Sequence, residues 1–163
     1  MRRVFCGVMA EQQNNLLWEK CKDGRLEEVR KALEAGADAN TTGGPFSSTC
    51  LMEAARNNHD EVVALLLSSP GIQVNAKDLD WRTNEDWTAL HFACGYGCLA
   101  SLSKLLAAPG LKLNERNDNG WTPIMTAIGR GKTEAVLQMA AVSEVDLDVK
   151  DKEGRSLEEF ANR

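Results

Sequence analysis

His91, Cys94 and Cys98 are residue types that hold zinc, and they lie close enough together to raise that question. A structural zinc site wants four converging ligands, and this group supplies three, so no metal is assigned. Gly129-Arg130-Gly131-Lys132-Thr133 ends like a phosphate-binding loop. It lacks the earlier glycine of that motif and is expected to join two helices, whereas a phosphate loop follows a strand. The chain has two histidines, His59 and His91, and its carboxylates are scattered. No nucleophile–base or metal constellation survives inspection, so the chain reads as no enzyme, and no cofactor is implied.

The more telling pattern is repetition. Asp86-Trp87-Thr88-Ala89-Leu90-His91-Phe92-Ala93 is answered 34 residues later by Gly120-Trp121-Thr122-Pro123-Ile124-Met125-Thr126-Ala127. Thr49-Cys50-Leu51-Met52-Glu53-Ala54-Ala55 is an earlier copy. After each copy comes a short apolar helix, over 60–67, 99–106 and 133–140. An opening copy runs through Gly24-Arg25-Leu26-Glu27-Glu28-Val29. Arg25 to His59 and Cys98 to Lys132 each span 34 residues, but His59 to Cys98 spans 39. The longer interval carries an extra piece, roughly 79–85. A fixed period in this range marks a stacked repeat protein, whose function is whatever its extended surface binds.

Each unit is built for stacking. Small residues (Ala54, Ala55; Ala93, Cys94; Ala127) sit where a neighbouring helix must come close. Val62, Leu65 and Leu66 give the following helix an apolar stripe at helical spacing. Neither helix buries its face alone, so adjacent units must pack. Gly97 and Gly131 fall at the helix–helix joint, which favours left-handed backbone. Asn58, at the same joint, is a tolerant substitute there.

These segments resemble the ankyrin repeat, which reads roughly Gly-x-Thr-Pro-Leu-His-x-Ala-Ala-x-x-Gly-His-x-Glu-Val-Val-x-Leu-Leu-Leu and closes near Gly-Ala-x-Val-Asn. The resemblance covers about 14–163 and is strongest over 87–114 and 49–75. It departs from the pattern at Asn15 (for Thr) and Lys20 (for Ala). Thr122-Pro123 is the one Thr-Pro pair, and His91 the one motif histidine after Leu. The resemblance implies an all-α solenoid of stacked helix-turn-helix units with projecting finger loops. It divides the chain into a leader over 1–13 and a repeat domain over 14–163. The repeats fall at about 14–40, 41–78, 84–118 and 119–151, with a half repeat at 152–163 and a finger insertion at 79–85. It also implies that His91 hydrogen-bonds neighbouring backbone.

The ends read as caps. Lys20 at a small-residue position suits an outward-facing first repeat, which needs a polar outer surface. Ser156 and Glu159 form a capping-box signature ahead of an apolar face made by Leu157, Phe160 and Ala161. The chain stops before a second helix could follow. That reads either as a natural helical cap or as an excerpt of a longer protein. Arg2-Arg3 followed by Val4-Phe5-Cys6-Gly7-Val8-Met9-Ala10 has the basic, apolar, small order of a short signal peptide, with a frayed leader or a strand-like arm before the first repeat as the plainer reading.

At 163 residues the chain can hold one continuous core. Its net charge of −5 argues against a nucleic-acid backbone binder. No run of eighteen apolar residues exists, so no membrane insertion is expected. Five irregularly spaced cysteines do not make a disulfide framework. They read as small buried hydrophobes of a reducing compartment, cytoplasmic or nuclear, in a monomer.

The resemblance implies that partners are gripped on a concave face made of fingers and first helices. The fingers map to 41–47, 76–87, 115–121 and 149–155. The residues singled out for a protein partner are Trp81, Arg82, Trp87, Phe92, Tyr96, Trp121, Glu53, Arg56, Arg116 and Arg130. Tryptophan, tyrosine and arginine dominate interface hot spots. Trp81, beside Arg82 in the inserted finger, is the sharpest pointer, whereas Trp87 and Trp121 serve equally well as scaffold. The slight acidity of the fingers suggests a partner of some basic character. Three readings follow: an interaction module, an inhibitory or regulatory subunit of an enzyme such as a kinase, or an architectural repeat block of a larger signalling protein.

Overall fold

The computed structural model describes residues 14, 16–78 and 86–161. The leader (1–13) and the finger insertion (79–85), with Trp81 and Arg82, lie outside the described residues. Helix α1 (16–22) is followed by α2 (Leu26–Glu34), a hairpin of β1 (Thr42–Gly43) and β2 (Ser48–Thr49), then α3 (Cys50–Arg56) and α4 (Asp60–Leu67). The pairs α5 (Ala89–Tyr96) with α6 (Leu99–Leu106), and α7 (Pro123–Gly129) with α8 (Thr133–Ala140), repeat the unit, and α9 (Leu157–Ala161) closes it. First helices stack on first helices (α3 on α5 on α7) and second on second (α4 on α6 on α8). The fold is a helical solenoid. Among the described residues its strand pairing is the β1–β2 hairpin, with Thr42 opposite Thr49, and a Lys150–Ser156 bridge.

The threonines start the first helices. Thr49 and Thr88 accept the backbone N–H of Met52 and His91 through their hydroxyls, meeting a donor that a helix N-terminus otherwise leaves orphaned. Thr122 makes no such bond, and Pro123 at the first helical position supplies the preset φ there. Asn58, Gly97 and Gly131 are left-handed, at φ 58°, 69° and 64°, so each first helix stops and the chain turns into its second.

The second helices begin without side-chain caps. At α4 and α6 the residue at that point instead reaches back one repeat. The His59 Nε2–H donates to the Lys22 carbonyl at 3.0 Å, and the Cys98 thiol donates to the Arg56 carbonyl at 3.2 Å.

Counting from each starting threonine, Ala54, Ala93 and Ala127 fill the fifth position, and all three are wholly buried. Leu51, Leu90 and Ile124 fill the second position, also buried. Lys20 replaces the alanine in the first repeat and pairs with Glu28 of α2 at 3.7 Å.

Two hydrogen-bond series hold the loops. Asn40, Asn75 and Asn114 each donate to a carbonyl of the next repeat (Gly71, Gly110, Glu144) at 2.8–3.0 Å. Each also accepts a backbone N–H two residues further on (Gln73, Lys112, Asp146) at 2.8–2.9 Å.

The finger bases share a second device. Asp78, Asn117 and Asp151 donate their backbone N–H to the carbonyl of Trp87, Trp121 and Arg155. Their side-chain oxygens accept the N–H of those same residues in return. This bracket encloses three residues in the last two fingers and eight in the second, so the insertion leaves the base unchanged.

The terminal half repeat carries the expected box. The Ser156 N–H donates to Glu159 at 2.6 Å, and the Glu159 N–H faces Ser156 Oγ at 3.5 Å.

Candidate partner-binding surface

The concave side is made by positions four, seven and eight after each starting threonine. In the central repeats these are Glu53, Arg56 and Asn57 of α3 and its cap, then Phe92, Gly95 and Tyr96 of α5, then Thr126, Gly129 and Arg130 of α7 and its cap. Gly95 has no side chain and could not carry one without strain, since a Cβ there would sit 2.9 Å from Thr126 Cγ2. The bare stretch leaves Tyr96 standing clear, 41% exposed.

Two arginines converge on Tyr96 from the repeats either side. The Arg56 guanidinium carbon lies 5.1 Å from the Tyr96 ring centre and 6.0 Å from that of Phe92. The Arg130 carbon lies 5.1 Å from Tyr96 and 4.6 Å from Trp87. Phe92 and Trp87 pack beneath, with ring centres 5.1 Å apart. Cation–π contact of this kind holds a guanidinium flat against a ring within about 6 Å and leaves its in-plane N–H donors outward.

Burial sorts the residues singled out from the sequence. Exposed Tyr96 and Arg130 and half-buried Arg56 share one cluster. Phe92 is buried and supports it. Trp87 is 2% exposed and presents no face to a partner, because its backbone is bracketed to Asp78 and its ring is covered by Phe92 and Arg130. Glu53 is 4% exposed. It accepts the Ser48 hydroxyl at 2.8 Å and faces Arg56 at 3.8 Å, which makes it a floor group under the arginine. Trp121 is half-buried, edge-on to Phe160 at 4.9 Å, and so links the fourth repeat to α9. Arg116 ties its own finger to the next by donating to the Gly120 and Lys150 carbonyls. Trp81 and Arg82 lie outside the described residues.

Residue reading from sequence missed the groove beside this cluster. A cavity of about 260 Å³ is lined by Trp18, Lys22, Pro45, Phe46, Ser48, Glu53, Arg56 and Asn57. The Trp18 indole donates to the Ser48 carbonyl at 2.8 Å and lies over Gly43 and Gly44, where a Cβ would come within 2.6–2.9 Å of the ring. The paired glycines of the first finger were the signal: they are the space that Trp18 occupies.

His91 is a structural tie. Its ring accepts at Nδ1 from Thr88 and donates at Nε2 to the Trp121 carbonyl at 3.0 Å. Both nitrogens are therefore engaged within the fold. Burial pushes its pKa down to about 4, against the Trp121 contact, which raises it. Among the described residues no group of three metal-binding side chains converges, and no helix is long and apolar enough to cross a membrane. Gly129–Thr133 joins α7 to α8 through left-handed Gly131.

Comparison with known proteins agrees with the geometry. Residues 5–78 match the family description "Ankyrin repeats (3 copies)" and 76–127 match "Ankyrin repeats (many copies)". The chain is 30% identical over 141 residues to the putative ankyrin repeat protein YahD of Escherichia coli (strain K12), covering 82% of this chain and 65% of that one. It is 40% identical over 87 residues to the human SMC5-SMC6 complex localization factor protein 1, covering 53% of this chain and 8% of that protein. It is 32% identical over 103 residues to the Schizosaccharomyces pombe glycerophosphocholine phosphodiesterase gde1, covering 63% of this chain and 8% of that protein. The chain thus spans less than two thirds of each relative's length. With its period, its stacked helix pairs and both profile matches, the chain belongs to the ankyrin-repeat family, whose repeats are generic protein-interaction modules.

Proposed function

We propose that this chain is a protein-interaction module that grips a peptide or folded partner on its concave face, with the first helices and fingers as the contact surface and no catalysis of its own. The observation that carries this reading is the Arg56–Tyr96–Arg130 cluster. It is an exposed aromatic held between two arginines on a rigid, preformed ridge, with buried Phe92 and Trp87 fixing it from below. Preorganisation of this kind lowers the ordering cost of binding.

We place the module in a reducing compartment, cytoplasmic or nuclear, acting as a monomer. The four described cysteines are free and buried. Burial pushes the Cys94 thiol upward, and the Cys21 thiol is raised first by its hydrogen bond with Cys50 and then by burial. Both stay protonated and inert.

Affinity capture with wild type and with Tyr96→Ala tests the assignment, with circular dichroism confirming that both are folded. Proteins retained by wild type and lost with Tyr96→Ala support the concave face. Identical sets move the contact elsewhere. A second reading, an architectural block of a larger protein, draws support from the relatives of which this chain matches 8%.

A further inference from the structure

The charge on the concave ridge differs from the charge of the chain. The whole chain carries −5, yet Lys22, Arg56 and Arg130 follow one another along the first-helix side of the stack. Lys22 lies over the Trp18 ring at 5.5 Å. Among the described residues, neither Lys22 nor Arg130 is in an ion pair, and the one carboxylate facing Arg56 is buried Glu53 at 3.8 Å. The same Glu53 oxygen also receives the Ser48 hydroxyl.

Of the finger carboxylates, Glu115 is taken up by Lys77 and Lys112 at 3.3 and 3.4 Å. Among the described residues, the first-helix ridge thus presents Lys22, Arg56 and Arg130 against one buried carboxylate, Glu53. Arg56 and Arg130 both lie 5.1 Å from one ring centre, so their guanidinium carbons are no more than about 10 Å apart. Two like charges held together by aromatic stacking, with no ion-paired carboxylate among the described residues except buried Glu53 beside Arg56, repel one another, and an anion between them would relieve the repulsion. Planar guanidiniums suit a carboxylate, which takes two parallel N–H bonds.

We propose that this ridge receives an acidic peptide segment of a partner protein. One of its side-chain carboxylates seats against Arg56 and Arg130 at Tyr96, and a neighbouring apolar side chain enters the groove between Trp18 and Phe46. The proposal rests on the concave-face reading and adds the chemistry of the occupant. A long polyanion is disfavoured, because the chain's overall negative charge repels it beyond the ridge. A short acidic stretch meets the positive row alone, and the groove of about 260 Å³ is sized for one side chain.

The test is selection of a random-sequence peptide display library on the full immobilised chain. The winning peptides are then titrated by fluorescence anisotropy against wild type, Arg130→Gln, Arg130→Lys and Tyr96→Ala, each checked by circular dichroism. The winners should be rich in Asp and Glu. They should lose roughly tenfold or more in affinity with Arg130→Gln, since a hydrogen bond to a charged group is worth that much. They should lose less with Arg130→Lys and weaken with added salt. Neutral or basic winners that are lost with Tyr96→Ala would overturn the acidic-partner proposal and leave the concave face standing. Winners indifferent to Tyr96→Ala, or no winners, would overturn both.

Discussion

Lowering the pH should destabilise this stack through His91 by an amount the structure bounds. The ring is wholly buried, donates at Nε2 to Trp121 of the next repeat, and accepts at Nδ1 from Thr88. Protonation would put a second donor where Thr88 already supplies one, and a charge in a wholly buried site. The folded pKa is about 4 against an ordinary 6.5. Between those values the unfolded chain takes up the proton and the folded chain does not, so stability falls as pH falls. The loss is absent above about pH 6.5 and complete near pH 4. At about 1.4 kcal/mol per pH unit it reaches about 3 kcal/mol. That is a large part of the roughly 5–15 kcal/mol that holds a domain together. Carboxylates also titrate in this window, so the comparison is with His91→Gln, which keeps a polar side chain but cannot be protonated. Urea unfolding of both proteins at half-unit steps from pH 7.5 to 4 isolates the difference. The wild type should be the more stable above pH 6.5, and its advantage should shrink by about 3 kcal/mol by pH 4. Parallel curves for the two proteins would refute the argument.

Three further outcomes follow from the packing. Ala54→Trp forces a ring into the wholly buried α3 contact and should cost about 3 kcal/mol or more, read by thermal melting; an unchanged melt would mean the repeat register is wrong. Asn75→Ala removes two hydrogen bonds between the second and third repeats and should cost about 2 kcal/mol, measured by urea midpoint; no change would show that water replaces the amide. Hydrogen exchange should be faster over 16–33 than over 88–106, because stability in a stack depends on neighbours on both sides; the reverse order would show that the first repeat is not the weak end.

The repeat frame was legible because each unit writes its own punctuation. The second-helix limits 60–67, 99–106 and 133–140 coincide with α4, α6 and α8, since a joint residue tolerant of left-handed backbone precedes each one. The backbone role of His91 was implied by its match to the motif histidine of the ankyrin repeat, and the box at the last helix was legible from Ser156 and Glu159. Burial on the concave side was not legible. Trp87 and Tyr96 are both aromatics on the same segment, and their separate fates depend on Gly95 and on Arg130 of the next repeat, which sequence does not place beside them. The groove at Trp18 was missed for the same reason, because it needs the first finger folded back over α1. Pairing of the finger charges, Lys77 with Glu115 across two fingers, likewise emerges only once the repeats stack.

The bracket at the finger bases has a consequence for how such a protein can change. Asp78 with Trp87 closes eight residues, and Asn117 with Trp121 closes three, through the same pair of bonds. Closure entropy grows only with the logarithm of length, so the longer finger costs under about 1 kcal/mol more. Insertions between these clamps therefore leave foldedness almost untouched while they alter what the tip presents. The tip is a place where new recognition can be tried out by lengthening, shortening or rewriting a loop, and the helices behind it do not have to adapt.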